Sequence, residues 1–444
     1  MDRSSIQPLP LNGDPGDRLL ALHRGFPSRY PVLLESAAHG TPQGRHTLLL
    51  ARPGDRVDAS MLPEGAGFLE ALDVWWGRER RTRQDGHVPF AGGWFLFLGY
   101  ELAREVEPSL RLPAAPDDEG SVAWRMHAAV VHDHATSATY ACAEAGAEGF
   151  AAQVRRDLLA VPETGSARSS EASIMEDEPE DFLRAVRRAR ELIAAGDVYQ
   201  VNLSRGWKAV LGPGCAAADL YARLRRSNPG PFAGVACLGN TSIVSSSPER
   251  LVSVRGARIE TRPIAGTRPR LPGGDAPSID ELINHPKERA EHIMLIDLER
   301  NDLGRLCEAG TVEVDELMSV ESYAHVHHIV SNVTGRLRPG VTPGQVVRAL
   351  FPGGTITGCP KVRCMQIIGD LEARGRGAYT GSMGYLGLDG DMDLNILIRT
   401  LTLRDGVAAL RTGAGIVADS DPDRELEETR AKARGVLLAL EGGA

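Results

Sequence analysis

The stretch from Pro162 to Pro179 (PETGSARSSEASIMEDEP) is polar and acidic, and its few apolar residues follow neither a helical nor a strand period. A chain interrupted in this way is expected to order on both sides of the break, with residues 1–161 as one region, 162–179 as a linker and 180–444 as a second, larger region. Before the break, Trp94 to Tyr100 (WFLFLGY) reads as a buried strand and Ala128 to His132 as another. After it, Phe182, Val186, Ala189 and Ile193 recur at helical spacing, Gly196-Asp197 stop the helix, and a strand runs from Val198 to Ser204. Alternation puts Tyr199, Val201 and Leu203 on one face of that strand and Gln200, Asn202 and Ser204 on the other, so a polar face is available to line a pocket. At 444 residues with 42% apolar content, the chain can bury one large core or two packed ones.

Charge and composition exclude several partners. The chain holds 50 Lys and Arg against 59 Asp and Glu, a formal net charge of −9, whereas a nucleic-acid or membrane-surface partner demands a dominant basic face. Any anionic ligand has to be met by local cations. The N-terminus (MDRSSIQPLP) is polar rather than basic and then apolar, so no secretory signal and a cytoplasmic location are expected. Apolar runs such as Ile293-Met294-Leu295-Ile296 fall far short of the roughly 20 residues that cross a bilayer. The six cysteines, Cys142, Cys215, Cys237, Cys307, Cys359 and Cys364, include no C-x-x-C pair and are expected to be reduced and mostly structural. Cys237, in Ala-Cys-Leu-Gly-Asn, imitates a glutaminase nucleophile, but the surrounding glutaminase signatures are missing.

Carboxylates recur in helix-like pairs. Glu288 and Glu291 share a face by their spacing of three, and so do Glu425 and Glu428 near the C-terminus. A solvated helix face is the ordinary explanation of either pair alone. Two pairs converging would offer the hard oxygen ligands that suit magnesium. The run Pro352 to Lys361 (PGGTITGCPK) has glycines spaced like a phosphate loop, but Cys359 and Pro360 stand where that motif needs Lys and Ser or Thr, which excludes nucleotide binding there. Pro360 suits the first turn of a helix over Lys361 to Ile368, whose N–H groups can face an anion or simply be capped. On a strand, His325 and His327 share a face and His328 lies opposite, with no further ligand to complete a zinc set. Glu249, in Ser-Ser-Pro-Glu-Arg, sits at a turn where carboxylates are usually solvated, and gains interest only if buried. Arg399 follows the apolar, strand-like Ile396-Leu397-Ile398 and needs a carboxylate partner, from the protein or from a ligand.

Five segments, in order, resemble the chorismate-utilising enzymes, the family that includes anthranilate synthase component I and aminodeoxychorismate synthase component I. They are GDVYQVNLS (196–204), PIAGTR (263–268), DLERND (297–302), PGGTITGCPK (352–361) and GAGIVADS (413–420). The resemblance is strong from Phe182 to Leu440 and looser before. It implies an α/β (α+β) fold, a layered sandwich of largely antiparallel sheets flanked by helices, with chorismate between the layers. It further implies that Glu288, Glu291, Glu425 and Glu428 surround a Mg2+ ion that bridges to a substrate carboxylate. This answers a charge problem, since chorismate is a dianion that four carboxylates alone would repel. Thr355, Lys361, Tyr385 and Arg399, with the backbone at Gly266, Gly413, Ala414 and Gly415, would orient chorismate. Glu249 would protonate the departing ring hydroxyl, hydroxide being a poor leaving group, and His328 would assist proton handling nearby.

The nucleophile separates the members of this family. Isochorismate and salicylate synthases resemble the chain but carry a general-base lysine where this sequence has Gln200, whereas ammonia is already nucleophilic and fits Gln200 better. Aminodeoxychorismate synthases place a nucleophilic lysine at the position of Ala265, which anthranilate synthases fill with alanine. Asn228-Pro229-Gly230-Pro231-Phe232, Gly353-Gly354, His325-Val326-His327-His328 and Gly92-Gly93-Trp94-Phe95 instead resemble the aminodeoxychorismate synthases. The Met-containing strand that follows Asn-Pro in anthranilate synthases is missing, although Leu33-Leu34-Glu35-Ser36 resembles their N-terminal effector segment. The expected activity is formation of 4-amino-4-deoxychorismate for 4-aminobenzoate and folate biosynthesis. Anthranilate formation is the alternative, and an isochorismate-forming or inactive binding homologue comes third. With no glutaminase segment in the sequence, a separate glutamine amidotransferase subunit is expected to deliver the ammonia.

Overall fold

The computed structural model describes the chain except for residues 1–3, 39–43, 64, 83–87, 117–119, 148, 163–171, 271–275, 323–325 and 443–444. Strand Gly93–Leu98 shows why the fold is layered. Trp94, Leu96 and Leu98 pack with Phe68, Leu69 and Leu72 of helix Phe68–Glu79, whereas Phe95 and Phe97 face the other way, into a core with Val32, Leu48, Leu50, Val131 and Met383 that no helix enters among the described residues. Strand His46–Asp58 divides likewise: Leu48 and Leu50 join that inner core, and Leu49 and Ala51 turn outward to helices Pro15–Gly25 and Ala217–Ser227. Strands with apolar residues on both faces must be covered twice, here by facing strands inside and helices outside. Among the described residues, twenty strands join into one hydrogen-bonded network in which every pairing is antiparallel. The result is the layered antiparallel sandwich with flanking helices that the sequence resemblance implies.

The polar stretch 162–179 contains a strand, Ala172–Glu176, which pairs with the distal half of strand Gln200–Leu211. Among the described residues it hydrogen-bonds to no other strand, and Ser173, Met175 and Glu176 are exposed. An edge strand wet on one face reads as polar sequence. Strands from before and after the stretch pair directly, Gly93–Leu98 with Ser382–Gly387 and Val32–Glu35 with Phe232–Cys237, so the stretch crosses one continuous sheet.

Helix Pro179–Ala194 buries Phe182, Val186 and Ala189 as the spacing predicts, and Gly196 follows it with a left-handed φ of 85°. The next strand starts at Gln200 and runs to Leu211, longer than the alternation indicated. Val201 and Leu203 are buried beside Phe182. Tyr199 is not: it precedes the strand, its N–H donates to the Cys359 carbonyl at 2.8 Å, and its side chain is 73% exposed. The six cysteines are free thiols. Among the described residues no helix is long and apolar enough to cross a membrane.

Candidate active site

Two helices and a pair of strands frame the site. Helix Pro286–Gly304 begins with a proline in its first turn, where the missing N–H leaves no bond unmade. The 3.6-residue period brings Glu288, Glu291 and Glu299 nearly into line along it. Helix Pro422–Leu440 is capped by Asp421, whose carboxylate accepts the Arg424 N–H at 3.0 Å, and it aligns Glu425, Glu428 and Lys432 in the same way. Strand Val407–Ile416 pairs with Gln200–Leu211 in a register that sets Gly415 opposite Asn202 and Gly413 opposite Ser204. Close approach demands glycine here. A Cβ on Gly415 would lie 2.4 Å from Gln200 Nε2, and one on Gly266, whose φ is 68°, would lie 2.8 Å from Glu288 Oε2.

Carboxylates of the two helices face one another, the charges of Glu288 and Glu428 both reaching Glu291. Glu291 Oε1 accepts a hydrogen bond from Gln200 Nε2 at 2.8 Å. Burial pushes the Glu291 carboxyl up, Gln200 and Lys432 hold it down, and the charges of Glu288 and Glu428 push it up again. Glu428 forms a 2.7 Å ion pair with Lys432, whose ammonium also donates to the Gly413 carbonyl at 3.0 Å. Glu425 lies half-buried one turn before Glu428. Among the described residues no three acidic, histidine or cysteine side chains stand close enough to form a metal-ligand set unaided. An ion held here would draw further ligands from water and a bound anion, as magnesium ordinarily does. The donors fit such an ion in kind, being hard oxygens whose mutual repulsion a divalent cation offsets.

Glu249 occupies the short connection between strands Thr241–Ser247 and Arg250–Arg255. Its N–H donates to Ser247 Oγ at 3.2 Å and its carbonyl accepts the Ile396 N–H at 3.0 Å, so the turn is fixed from both sides. Solvation does not explain this carboxylate, because Glu249 is 5% exposed. Burial lifts its carboxyl to about 7; the facing Thr355 hydroxyl opposes the rise, Glu299 adds to it, and Arg399 and Lys432 oppose it again. A carboxylic acid poised near neutrality is suited to donate a proton.

His328, on strand Val326–Arg336, has Nδ1 3.4 Å from the Gly266 carbonyl. Burial first, then Arg399, depresses its imidazole to about 3. A ring depressed in this way favours the neutral imidazole, which can donate or accept a hydrogen bond beside Gly266. His327 contacts Ser322 Oγ at 2.7 Å, and His325 lies outside the described residues. Ala265, opposite Ile329, is buried and presents only a methyl group.

Three expected substrate contacts stand differently. Arg399 does not extend a strand: it sits at a left-handed bend, φ 51°, between strands Met392–Asn395 and Thr400–Arg404, and that bend carries its charge toward Glu249 and His328. Lys361, in the first turn of helix Lys361–Glu372, bonds Asp302 at 2.5 Å and lines a separate cavity of about 740 Å³. Tyr385 belongs to the layer facing the inner core. Its hydroxyl accepts from Arg255, its ring meets Phe90 edge-on, and it lines a third space, of about 570 Å³. The tyrosine at the site is Tyr379, whose hydroxyl would lie 2.6 Å from a Cβ on Gly413.

Sequence reasoning also passed over Lys432 and Glu299, although the helical period held a signal for both. Lys432 is one turn beyond Glu428, and Glu299 three turns beyond Glu288 on the same face.

The sequence pattern of a family described as chorismate binding enzyme matches residues 36–438. The chain belongs to the chorismate-binding enzyme family. It is an enzyme that acts on chorismate. Within the family, aminodeoxychorismate synthase component 1 of Bacillus subtilis is 38% identical over 444 residues, spanning 93% of this chain and 92% of that protein. Anthranilate synthase component 1 of Streptomyces coelicolor is 41% identical over 439 residues, spanning 93% and 84%. The crystal structure of anthranilate synthase component I from Streptococcus pneumoniae superimposes with a TM-score of 0.80 at 31% identity, covering 90% of this chain and 93% of that one. Identity to the two kinds of synthase is thus similar.

Proposed function

We propose that this chorismate-binding enzyme aminates chorismate with ammonia to give 4-amino-4-deoxychorismate, as component I of an aminodeoxychorismate synthase serving 4-aminobenzoate and folate biosynthesis. The observation that carries amination is the hydrogen bond from Gln200 to Glu291. Where a water-using enzyme needs a base, this chain has an amide engaged as a donor, and Ala265 adds no basic group. Water without a base attacks poorly, whereas ammonia as the free base needs none. Glu249 gives its proton to the ring hydroxyl as that C–O bond breaks, so water departs rather than hydroxide. The ammonia lone pair forms the new C–N bond, and the proton lost from the resulting ammonium passes to solvent. Arg399 and Lys432 provide cationic charge for a dianionic substrate. Magnesium, when bound by Glu288, Glu291, Glu425 and Glu428, supplies the charge that lets a substrate carboxylate approach them.

The Asn228-Pro229-Gly230-Pro231-Phe232 motif, which resembles the aminodeoxychorismate synthases, supports aminodeoxychorismate as the product. The motif packs against the end of the strand that leads to Glu249, since a Cβ on Gly230 would lie 2.7 Å from the carbonyl oxygens of Ser246 and Ser247. Ala265 favours a second reading, anthranilate formation, because no lysine is present there to attack the ring. A separate glutamine amidotransferase subunit delivers the ammonia in either case, and the enzyme works in the cytoplasm. With purified chain and no glutamine, chorismate consumption is expected to rise and saturate with ammonium salt, and to fall to background when magnesium is chelated. Consumption without ammonium would remove the ammonia reading, and consumption undiminished by the chelator would remove the metal.

A further inference from the structure

Helix Pro286–Gly304 carries Glu288 and Glu291 in its first half, where little is buried to hold it. No side chain caps its start, and from Pro286 to Met294 the one buried residue among those described is His292; core side chains begin only with Leu295 and Ile296. His292 follows Glu288 by four residues, so the two share a face of the helix. That face meets strands Ile264–Pro269 and Val326–Arg336, which pair with each other. At one end of the contact a Cβ on Gly266 would lie 2.8 Å from Glu288 Oε2. At the other, His292 Nε2 stands 2.6 Å from Ser331 Oγ, and both residues are 0% exposed. Ser331 is itself fixed: its N–H donates to the Pro263 carbonyl at 3.3 Å, and its Oγ accepts the Met318 N–H at 2.8 Å. Strand Glu313–Ser322 shifts register between Glu316 and Ser319, and Met318 there takes a left-handed φ of 52°, a conformation that persists only where its surroundings hold it.

We infer that His292 is a positioning residue for the metal carboxylates: its hydrogen bond to Ser331 fixes the first half of the helix against the strand pair and so sets where Glu288 and Glu291 stand. This rests on the reading of those two glutamates as magnesium ligands. An apolar residue at position 292 would fill the same space, but apolar contact is non-directional and lets a helix turn or slide. A hydrogen bond has a preferred distance and angle and resists both. The difference matters for this ion, since magnesium demands near-ideal octahedral geometry and a slightly turned helix loses affinity while remaining folded.

The test measures binding of Mn2+, standing in for magnesium, by electron paramagnetic resonance on the full chain, with chorismate present and ammonium absent so that nothing turns over. Ser331→Ala and His292→Leu are each expected to weaken Mn2+ binding about tenfold, the lower end for groups that orient metal ligands. His292→Gln, whose amide reaches the place of Nε2, should recover most of that loss. In turnover Ser331→Ala should need about tenfold more magnesium, and added magnesium should restore kcat without a change in the KM for chorismate. Leu303→Ala, in the last turn of the same helix and fully buried, is the control for lost stability: it should lower the melting temperature and leave Mn2+ binding alone. Unchanged Mn2+ affinity in Ser331→Ala overturns the proposal. So does equal weakening by Leu303→Ala, or a His292→Gln that binds no better than His292→Leu. Should His292→Leu not fold, Ser331→Ala decides alone. If the wild-type chain binds no Mn2+, the magnesium reading fails separately, and amide hydrogen exchange then decides the anchor. Exchange in Ser331→Ala is expected to quicken over residues 289–294 and stay slow over 298–304; no local change would remove the role of His292.

Discussion

Glu249→Gln is expected to lower kcat for chorismate turnover by about a thousandfold, within the range that a positioned general acid contributes, while KM for chorismate changes little. The amide keeps the shape of the side chain but has no proton to give, so only transition-state stabilisation is lost. Its pH profile carries a second signature. Burial lifts the Glu249 carboxyl to about 7, and the protonated form is the active one, so wild-type kcat is expected to decline as pH rises through that value. The variant should be flat there. A variant that kept the decline near pH 7 would assign it to another group, and one that kept its rate would remove Glu249 from the chemistry.

Glu372→Ala is expected to destabilise the fold by about 3–5 kcal/mol, the usual cost of breaking a buried ion pair from one side, measured by denaturant unfolding. Glu372 accepts from Arg376 Nη2 at 2.7 Å, Arg411 Nη2 at 2.6 Å, and the Ser204 N–H and Oγ, both at 2.8 Å. Its side chain is 2% exposed and that of Arg376 1%, so alanine would leave a guanidinium buried without its counter-charge. Burial pushes the Glu372 carboxyl up, but Arg376 and Arg411 outweigh it and hold the group below its ordinary value. A depressed carboxylate stabilises above its unfolded pKa, about 4.3, and that contribution fades as pH falls through the folded value. The gap between wild type and variant is therefore expected to be full at neutral pH and to narrow in acid. The network also underlies the site: Arg376 donates to the Asn202 carbonyl at 2.8 Å, and Ser204 lies opposite Gly413. Weaker chorismate binding should accompany the lost stability. A difference under about 1 kcal/mol would mean that Arg376 finds other partners.

Local periodicity carried the parts of this enzyme that local periodicity determines. Glu288 with Glu291 and Glu425 with Glu428 lie on helices as their spacing indicates, and Phe182, Val186 and Ala189 are buried on theirs. What spacing cannot show is which face meets which partner across the chain. Tyr385 and Tyr379 both sit in polar, glycine-rich surroundings in the sequence, yet strand pairing sends one to the inner core and the other to Gly413. Lys361 is drawn aside by Asp302, remote in the sequence and carried on another helix. The edge strand Ala172–Glu176 passes for a linker because, among the described residues, only one of its sides has a strand to hydrogen-bond. Glu249 shows the converse: its residue type and turn were legible, but its burial was not, and the Thr355 and Arg399 groups that temper the resulting rise of its carboxyl stand more than a hundred residues further along the chain.

The central claim is most directly tested by identifying the product. Purified chain, chorismate, magnesium and ammonium salt are incubated near neutral pH, with and without added aminodeoxychorismate lyase, and the mixtures are resolved by chromatography with mass detection. The expected result is chorismate consumption in both, with 4-aminobenzoate appearing only when the lyase is present. Fluorescent anthranilate formed by the chain alone would contradict it and make Ala265 the residue that decides where ammonia goes.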